Sequence, residues 1–94
     1  MGLNCYVYVL KSKKTKKYYI GSTRRLRSRI KRNNKGYERY TKTGIPWLLV
    51  VYRRYDNELD ARLEEKRLKN LKGNSEFKMI IRGEMLALRS KATT

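Results

Sequence analysis

The sequence predicts an α+β fold whose elements follow the order β-β-α-β-α-α. Residues 5–10 alternate between Cys-Val-Val and Tyr-Tyr-Leu, which is typical of a strand with two usable faces. After the only proline, Pro46, the run WLLVVY is apolar without interruption, so we expect a strand covered on both faces. Residues 58–71 and 76–88 carry apolar side chains at helical spacing, which predicts two helices.

The first two strands are expected to pair as a hairpin, followed by a helix. Residues 11–17 contain five lysines and form the turn, and residues 18–22 resume the β pattern. Thr23 is a plausible N-cap for a helix through STRRLRSRIKRNN, in which Leu26 and Ile30 form a thin apolar stripe.

Polar residues and glycines mark the remaining boundaries. Residues 33–44 are polar and include two glycines, so we expect a loop there. Asp56 or Asn57 can cap the helix that follows the third strand, Gly73 suits its C-terminal end, and Ser75 can cap the last helix. We expect a single domain over residues 1–94, with a core at about 5–88 and a frayed tail at 89–94.

The charge is the strongest feature of the composition. Twenty-five Lys and Arg against eight Asp and Glu give a net charge of +17, which favours nucleic acid as the partner over a membrane surface. No apolar run approaches the ~20 residues of a spanning helix, and no secretory signal is visible. We interpret the lone Cys5 as a small core thiol and expect a cytoplasmic protein. Histidine is absent, which excludes His-based acid–base and His–metal chemistry.

Tyrosines are the first candidates for a site. If the hairpin pairs suitably, Tyr8 and Tyr19 stand side by side above Gly21, where something could approach the backbone closely. Alternatively, these tyrosines simply pack, because tyrosine is a favourable strand residue.

An arginine and a cluster of acids are the next candidates. Arg29 borders the apolar stripe of the first helix and could present its guanidinium to a phosphate, although a solvated basic face is the simpler interpretation. Five of the eight acids fall in residues 56–65, and either Glu64 or Glu65 could ligate magnesium. Their spacing does not choose between the two, and both could instead form surface ion pairs.

The chain resembles the GIY-YIG nuclease superfamily, most closely its small single-domain bacterial members. The resemblance rests on five segments in order: Tyr6-Val7-Tyr8, Tyr19-Ile20-Gly21, Leu26-Arg27-Ser28-Arg29, the PWLLVVY tract at 46–52, and Ala61-Arg62-Leu63-Glu64-Glu65-Lys66-Arg67-Leu68-Lys69. Tyr6 stands where the family usually has glycine. Asn33 stands roughly where some relatives have histidine, and Asn70 or Asn74 could correspond to a late family asparagine.

The resemblance implies a three-stranded antiparallel sheet flanked by helices and hydrolysis of a phosphodiester with one Mg²⁺ or Mn²⁺ ion. Carried over by position, Glu65 would hold the metal and Arg29 would steady the scissile phosphate. Tyr8 would activate or position water, with Tyr19 beside it, and Gly21 would permit close approach of the substrate.

Two functional hypotheses follow. The first is a DNA endonuclease that cuts one strand per active site, on structured or damaged DNA, with little sequence specificity and with Lys17, Arg25 and Arg32 as further substrate-binding residues. A role in DNA repair would fit such a substrate. The alternative is a catalytically weak or inactive nucleic-acid-binding module of the same fold. We expect a monomer that does not bind membranes and that could take its specificity from a protein partner.

Overall fold

The computed structural model describes residues 4–82, which form three strands and four helices. Their bounds are, in chain order, β1 (Cys5–Ser12), β2 (Tyr18–Thr23), α1 (Leu26–Lys35), α2 (Arg39–Lys42), β3 (Trp47–Tyr55), α3 (Glu58–Leu71) and α4 (Ser75–Ile81). None of the helices in this part of the chain has the length and hydrophobicity needed to cross a membrane.

The three strands form one antiparallel sheet in the order β2-β1-β3. Both the α+β class and the three-stranded antiparallel sheet are therefore confirmed. The central strand β1 places Tyr8 opposite Gly21 on one side and opposite Tyr52 on the other. Because β1 has a partner on both sides, β2 and β3 are the two edges of the sheet.

The alternation in β1 divides the interior into two clusters. Cys5, Val7 and Val9 are buried on one face, among residues of α3 and α4 that include Leu68 and Phe77. The opposite face belongs to a second cluster, built around the buried residues Tyr8, Leu10 and Trp47, with Leu26 and Ile30 of α1 packed against them. The sequence pattern thus correctly predicted that the valines fill a core and that both faces of β1 are used.

The expectation that the third strand is covered on both faces is wrong. Leu48, Leu49 and Tyr52 are 52%, 39% and 53% exposed, and only the ends of β3, Trp47 and Tyr55, are buried. An uninterrupted apolar run predicts two covered faces only when a strand lies inside a sheet. β3 lies at an edge of the sheet. Most side chains of the central strand β1 are buried, whereas much of β3 stays exposed.

The first helix begins later, and the following loop is shorter, than the sequence predicted. Arg25 is the N-cap of α1 and its side chain makes no capping bond, while the Thr23 hydroxyl accepts a hydrogen bond from the Arg25 backbone N–H at 3.1 Å. Thr23 therefore closes a local turn at the end of β2 instead of capping the helix. The helix continues into the expected loop and ends at Gly36, whose φ of 82° lies in the left-handed region that suits glycine.

The last two helices mostly follow the prediction. α3 has the predicted bounds, and the Asn57 side chain accepts a hydrogen bond from the Asp60 backbone N–H at 2.8 Å. The cap of α4 is Asn74 instead of Ser75, because the Asn74 side chain accepts from the Phe77 backbone N–H. The C-terminal part of the predicted last helix and the tail at 89–94 lie outside the described residues.

Candidate active site

The open edge of β2 borders three neighbouring cavities. The largest, of about 820 Å³, lies against Tyr18 and Tyr19 at the beginning of the strand. Two others, of about 590 and 400 Å³, meet at Ser22 near the end of the strand. A β2 of six residues is about 20 Å long. Within residues 4–82, β2 has no strand partner on its outer side, so this edge is open to the three cavities.

Tyr8, Tyr19 and Gly21 meet as the hairpin pattern predicted. The rings of Tyr8 and Tyr19 are 6.4 Å apart between centroids, and Gly21 lies directly across the strands from Tyr8. A Cβ atom at Gly21 would lie 2.6 Å from the Tyr8 hydroxyl oxygen and 2.9 Å from Cζ. The absence of a side chain at Gly21 therefore makes room for the Tyr8 phenol, which is a different role from admitting the substrate.

The hydroxyl of Tyr8 is buried and makes no well-formed hydrogen bond among residues 4–82, although the Arg29 guanidinium lies close enough to interact with its oxygen. Burial raises the pKa of Tyr8 to about 12, and the neighbouring Tyr19 and Glu65 act in the same direction, while Arg29 lowers it by a smaller amount. At pH 7 about one Tyr8 in 10⁵ would be ionised. The phenol is thus a neutral group with an unused donor, and it is not poised as a general base in this state.

Arg29 occupies the border position that the helical spacing predicted. Its side chain is half-buried and its positive charge acts on the Tyr8 hydroxyl, whereas Arg27 and Lys31 on the same helix are exposed. The cavity of about 590 Å³ beside it, which we call the arginine cleft, has five arginines in its lining: Arg24, Arg25, Arg29, Arg32 and Arg62. Such a surface suits the phosphates of a nucleic acid.

The four predicted substrate-binding residues are spread along the β2 edge. Gly21 is inside the strand, Arg25 and Arg32 line the arginine cleft, and the exposed Lys17 borders the largest cavity instead. The guanidinium of Arg32 is already engaged, because its Nη2 lies 3.0 Å from Glu38 Oε2 and its charge lies over a tyrosine ring.

The structure distinguishes the two candidate acids that spacing left open. The Glu64 side chain is 7% exposed and is paired with Arg67, whose Nη2 is 2.7 Å from Glu64 Oε2. The Glu65 side chain is 20% exposed, lines the cavity of about 400 Å³ and accepts a hydrogen bond of 2.6 Å from the Ser22 hydroxyl. Ser22 follows Gly21 directly, so Glu65 reaches the β2 segment that pairs with Tyr8, but through a side chain on the face of the sheet opposite to the tyrosines.

Two further polar residues around Glu65 were not predicted from the sequence. Ser22 donates to Glu65 Oε1, and the Lys69 Nζ lies 2.9 Å from Oε2, which raises the pKa of Lys69. The spacing of four between Glu65 and Lys69 did indicate an ion pair. Nothing in the sequence indicated Ser22, since its contact spans 43 residues.

The three asparagines suggested by the resemblance differ in burial and in their hydrogen bonds. Asn33 is buried, and its Oδ1 accepts a hydrogen bond from the Thr41 hydroxyl, while its Nδ2 has no partner within residues 4–82. Asn74 caps α4 and Asn70 is exposed on α3.

The donor atoms fit a divalent ion that keeps most of its water. No cluster of three or more His, Cys, Asp or Glu side chains occurs within residues 4–82, so a closed site made of protein ligands is not present there. Magnesium is commonly held by one or two carboxylates together with waters and substrate phosphates. Glu65 is such a partly exposed carboxylate, although an ion bound to it would compete with the ammonium group of Lys69.

Two comparisons with known proteins give matches that extend over most of the chain. The family model described as GIY-YIG catalytic domain matches residues 4–79, which include all five segments of the resemblance. The chain is also similar to the UPF0213 protein CPE1444 of Clostridium perfringens (strain 13 / Type A), with 36% identity over 76 residues that make up 80% of this chain and 81% of that protein. No solved structure matches the chain at a significant level.

Proposed function

Because the chain belongs to the GIY-YIG catalytic domain family of nucleases, we propose that it is an endonuclease that hydrolyses DNA phosphodiester bonds with one Mg²⁺ or Mn²⁺ ion. One observation carries the proposal. The charges of Arg29 and Glu65, from two different helices, both act on the buried hydroxyl of Tyr8. A cation and an acid thus lie close enough to a buried phenol to act on it, around strands β1 and β2.

Each proposed role follows from the chemistry of the side chain. Arg29 binds the scissile phosphate and offsets the negative charge that its oxygens gain in the transition state. Tyr8 remains neutral and uses its free O–H to orient the attacking water or a phosphate oxygen. Tyr19, whose ring is half-buried beside Tyr8, borders the same space.

The proposed metal ligand is Glu65. A divalent ion at this carboxylate would supply positive charge at the phosphate and lower the pKa of nearby water. The Ser22 hydroxyl fixes Glu65 Oε1 from the neighbouring strand, so the carboxylate is oriented before any substrate arrives.

The substrate is DNA with exposed strands, such as structured or damaged DNA in repair. The site has one copy of each proposed group, so it would cut one strand at a time. The cations of the arginine cleft would contact phosphates, which position a substrate without reading its sequence. We expect the protein to act as a monomer in the cytoplasm, away from membranes, with any strong specificity supplied by a protein partner.

The test is cleavage of nicked, branched and single-stranded DNA by the purified full chain with Mg²⁺ or Mn²⁺. We expect Glu65→Gln to remove cleavage. Asp56→Asn is the control, since Asp56 is an exposed acid shortly before α3 that lines none of the three cavities. Background-level cleavage by both the wild type and Glu65→Gln, on every substrate, would refute the enzyme proposal.

A second candidate is a nucleic-acid-binding module that does not cut. The observation that favours it is the ion pair between Lys69 and Glu65, which occupies the proposed metal ligand. In that case, Glu65→Gln would leave DNA binding unchanged or strengthen it, and no product would form with any metal. Measuring binding and cleavage on the same substrates separates the two candidates.

A further inference from the structure

The cavity of about 820 Å³ beside Tyr18 and Tyr19 combines aromatic walls with a cationic rim. Five of the ten aromatic residues of the chain line its volume of about 820 Å³: Tyr18, Tyr19, Tyr40, Trp47 and Phe77. Lysines stand on both sides, with Lys11 and Lys17 from the hairpin and Lys72 and Lys78 from the region of α4. No carboxylate is among the lining residues within 4–82. A volume of this size is typical of sites for small molecules or parts of larger ligands.

The aromatic walls leave a ring face free for stacking. Tyr19 lies between Tyr40 and Trp47, at centroid distances of 5.8 and 6.1 Å, and Tyr18 meets Phe77 edge-on at 5.4 Å. Tyr40 is 80% exposed although it belongs to this aromatic cluster. An aromatic ring held beside other rings but open to solvent can stack a planar ligand with little loss of conformational freedom.

Tyr19 connects this cavity to the candidate active site. Its ring lines the cavity and lies 6.4 Å from the ring of Tyr8. A nucleic-acid strand whose phosphate lies near Arg29 would therefore bring a neighbouring nucleotide to the cavity. Flat faces, lysines and the absence of acids suit a base with its phosphates, whereas an acidic peptide would find few partners for its backbone.

We propose that this cavity binds an unpaired nucleobase of the DNA strand, stacked against Tyr40 and Tyr19, with the lysines contacting the flanking phosphates. A paired base cannot enter, because it is stacked inside its duplex, so the cavity selects substrates in which a base is already free or easily extruded. The inference rests on the proposed function, since it names the feature that the substrate of that site must present.

The test uses Trp47, the only tryptophan, as a probe inside the cavity. The full chain is titrated in EDTA, where no cleavage occurs, with three DNAs: a single strand of about ten nucleotides, its duplex, and an abasic strand with the same number of phosphates. The single strand is expected to change the Trp47 emission. The abasic strand should bind more weakly and leave the emission unchanged, and the duplex should behave like the abasic strand.

Variants of Tyr40 test the stacking contact directly. Tyr40→Ala should weaken binding of the intact single strand by about 5- to 150-fold, because one base–aromatic stack contributes that much to affinity. It should have little effect on the abasic strand, and Tyr40→Phe should bind like the wild type. Tyr52→Ala is the control, since Tyr52 is also exposed but lies on β3 and lines none of the three cavities.

Equal binding of the intact and abasic strands, or wild-type binding by Tyr40→Ala, would overturn the inference. The result is independent of hydrolysis. A protein that passes this test but never cuts DNA would refute the proposed activity and support the base site. A protein that cuts DNA but fails this test would support the activity and refute the base site.

Discussion

Tyr8 combines complete burial with an oxygen atom that no described residue satisfies. A buried hydroxyl without a partner usually destabilises a protein, because its hydration is lost and not replaced. Such a group is retained more easily when a ligand completes its hydrogen bonding. Arg29 lies close enough to act on this hydroxyl, which agrees with the proposal that an anionic phosphate binds beside it.

Replacing Tyr8 with phenylalanine should therefore separate stability from activity. We expect Tyr8→Phe to unfold at the same or a higher temperature than the wild type, since only the unsatisfied oxygen is lost. DNA cleavage should fall by about 100-fold, which is typical for the loss of one oriented hydrogen bond at a transition state. Thermal unfolding and single-turnover cleavage measure the two effects. A strong loss of stability would show that the hydroxyl supports the fold instead.

The raised pKa of Tyr8 also predicts a pH dependence of stability. The folded protein holds the phenolic proton more tightly than the unfolded chain, whose tyrosines ionise near pH 10. The contribution is therefore fully present below pH 10 and is lost as the pH rises from about 10 to 12. Burial also raises the pKa of Tyr55, which adds to the same loss.

We expect the urea midpoint of unfolding to fall steadily above pH 10, and tyrosinate absorbance to show groups that ionise later than the exposed tyrosines. Tyr8→Phe should remove part of this late absorbance change. A Tyr8→Phe protein with an unchanged alkaline titration would contradict the assignment.

At the level of elements, helix α3 holds two adjacent acids with different tasks. Glu64 faces the interior and accepts hydrogen bonds from two guanidinium nitrogens of Arg67. These hydrogen bonds raise the pKa of Arg67. Glu65 is turned toward Ser22 and the cavity. One residue of helical rotation, about 100°, is enough to move a carboxylate from the interior to the β2 edge.

Glu64→Gln should consequently destabilise the protein by about 2 kcal/mol, because Arg67 loses its buried charged partner and keeps Glu76, which is 42% exposed. Glu58→Gln removes two ion pairs, with Arg24 and Arg62, whose members are all exposed, and it should change the free energy of unfolding by less than about 1 kcal/mol. Urea unfolding of the two variants gives the comparison. Equal midpoints for Glu64→Gln and the wild type would show that the buried pair has no net stabilising effect.

The sequence predicted those elements whose signals are local. Alternation located β1, and a cap at either Asp56 or Asn57 followed by helical spacing located α3 at the observed bounds, with the structure choosing Asn57. The prediction failed for β3 because hydrophobicity does not reveal whether a strand lies at an edge. It failed at the start of α1 because the Thr23 hydroxyl can accept from a backbone N–H either as a helix cap or in a turn. Which of the two forms depends on the path of the chain between β2 and α1, and the local sequence does not specify that path.

The candidate site was predictable to the extent that strand and helix periods place residues on faces. Those periods put Tyr8 beside Tyr19 and Arg29 at the border of its helix. They could not choose Glu65 over Glu64, and the choice in the sequence came from the family pattern alone. Ser22 and Tyr40 depend on contacts between distant segments, which no local pattern records. The catalytic roles themselves remain predictions.

For the whole molecule, the net charge of +17 is unevenly distributed over the surface. Five arginines line a single cleft. Contacts between cations and phosphates release counterions, so the affinity falls with salt by a slope set by their number. We expect Arg25→Gln to lower the slope of log K against log salt by about 1 and to weaken binding of all DNA sequences alike.

Arg39→Gln is the matched control, since it removes one exposed charge that lines none of the three cavities. Binding measured by anisotropy at several salt concentrations compares the two variants. An equal reduction of the slope by both would mean that DNA responds only to the overall charge and has no preferred path along the β2 edge.

The division of β1 between two clusters has an evolutionary consequence. Every second side chain of the strand belongs to the layer under α3 and α4, and those in between belong to the layer that holds Tyr8. The two sets belong to separate clusters, so a change in the size of Val7 or Val9 has to be compensated within the cluster under α3 and α4. Selection could then adjust thermal tolerance and chemistry as nearly separate traits, within a strand of eight residues.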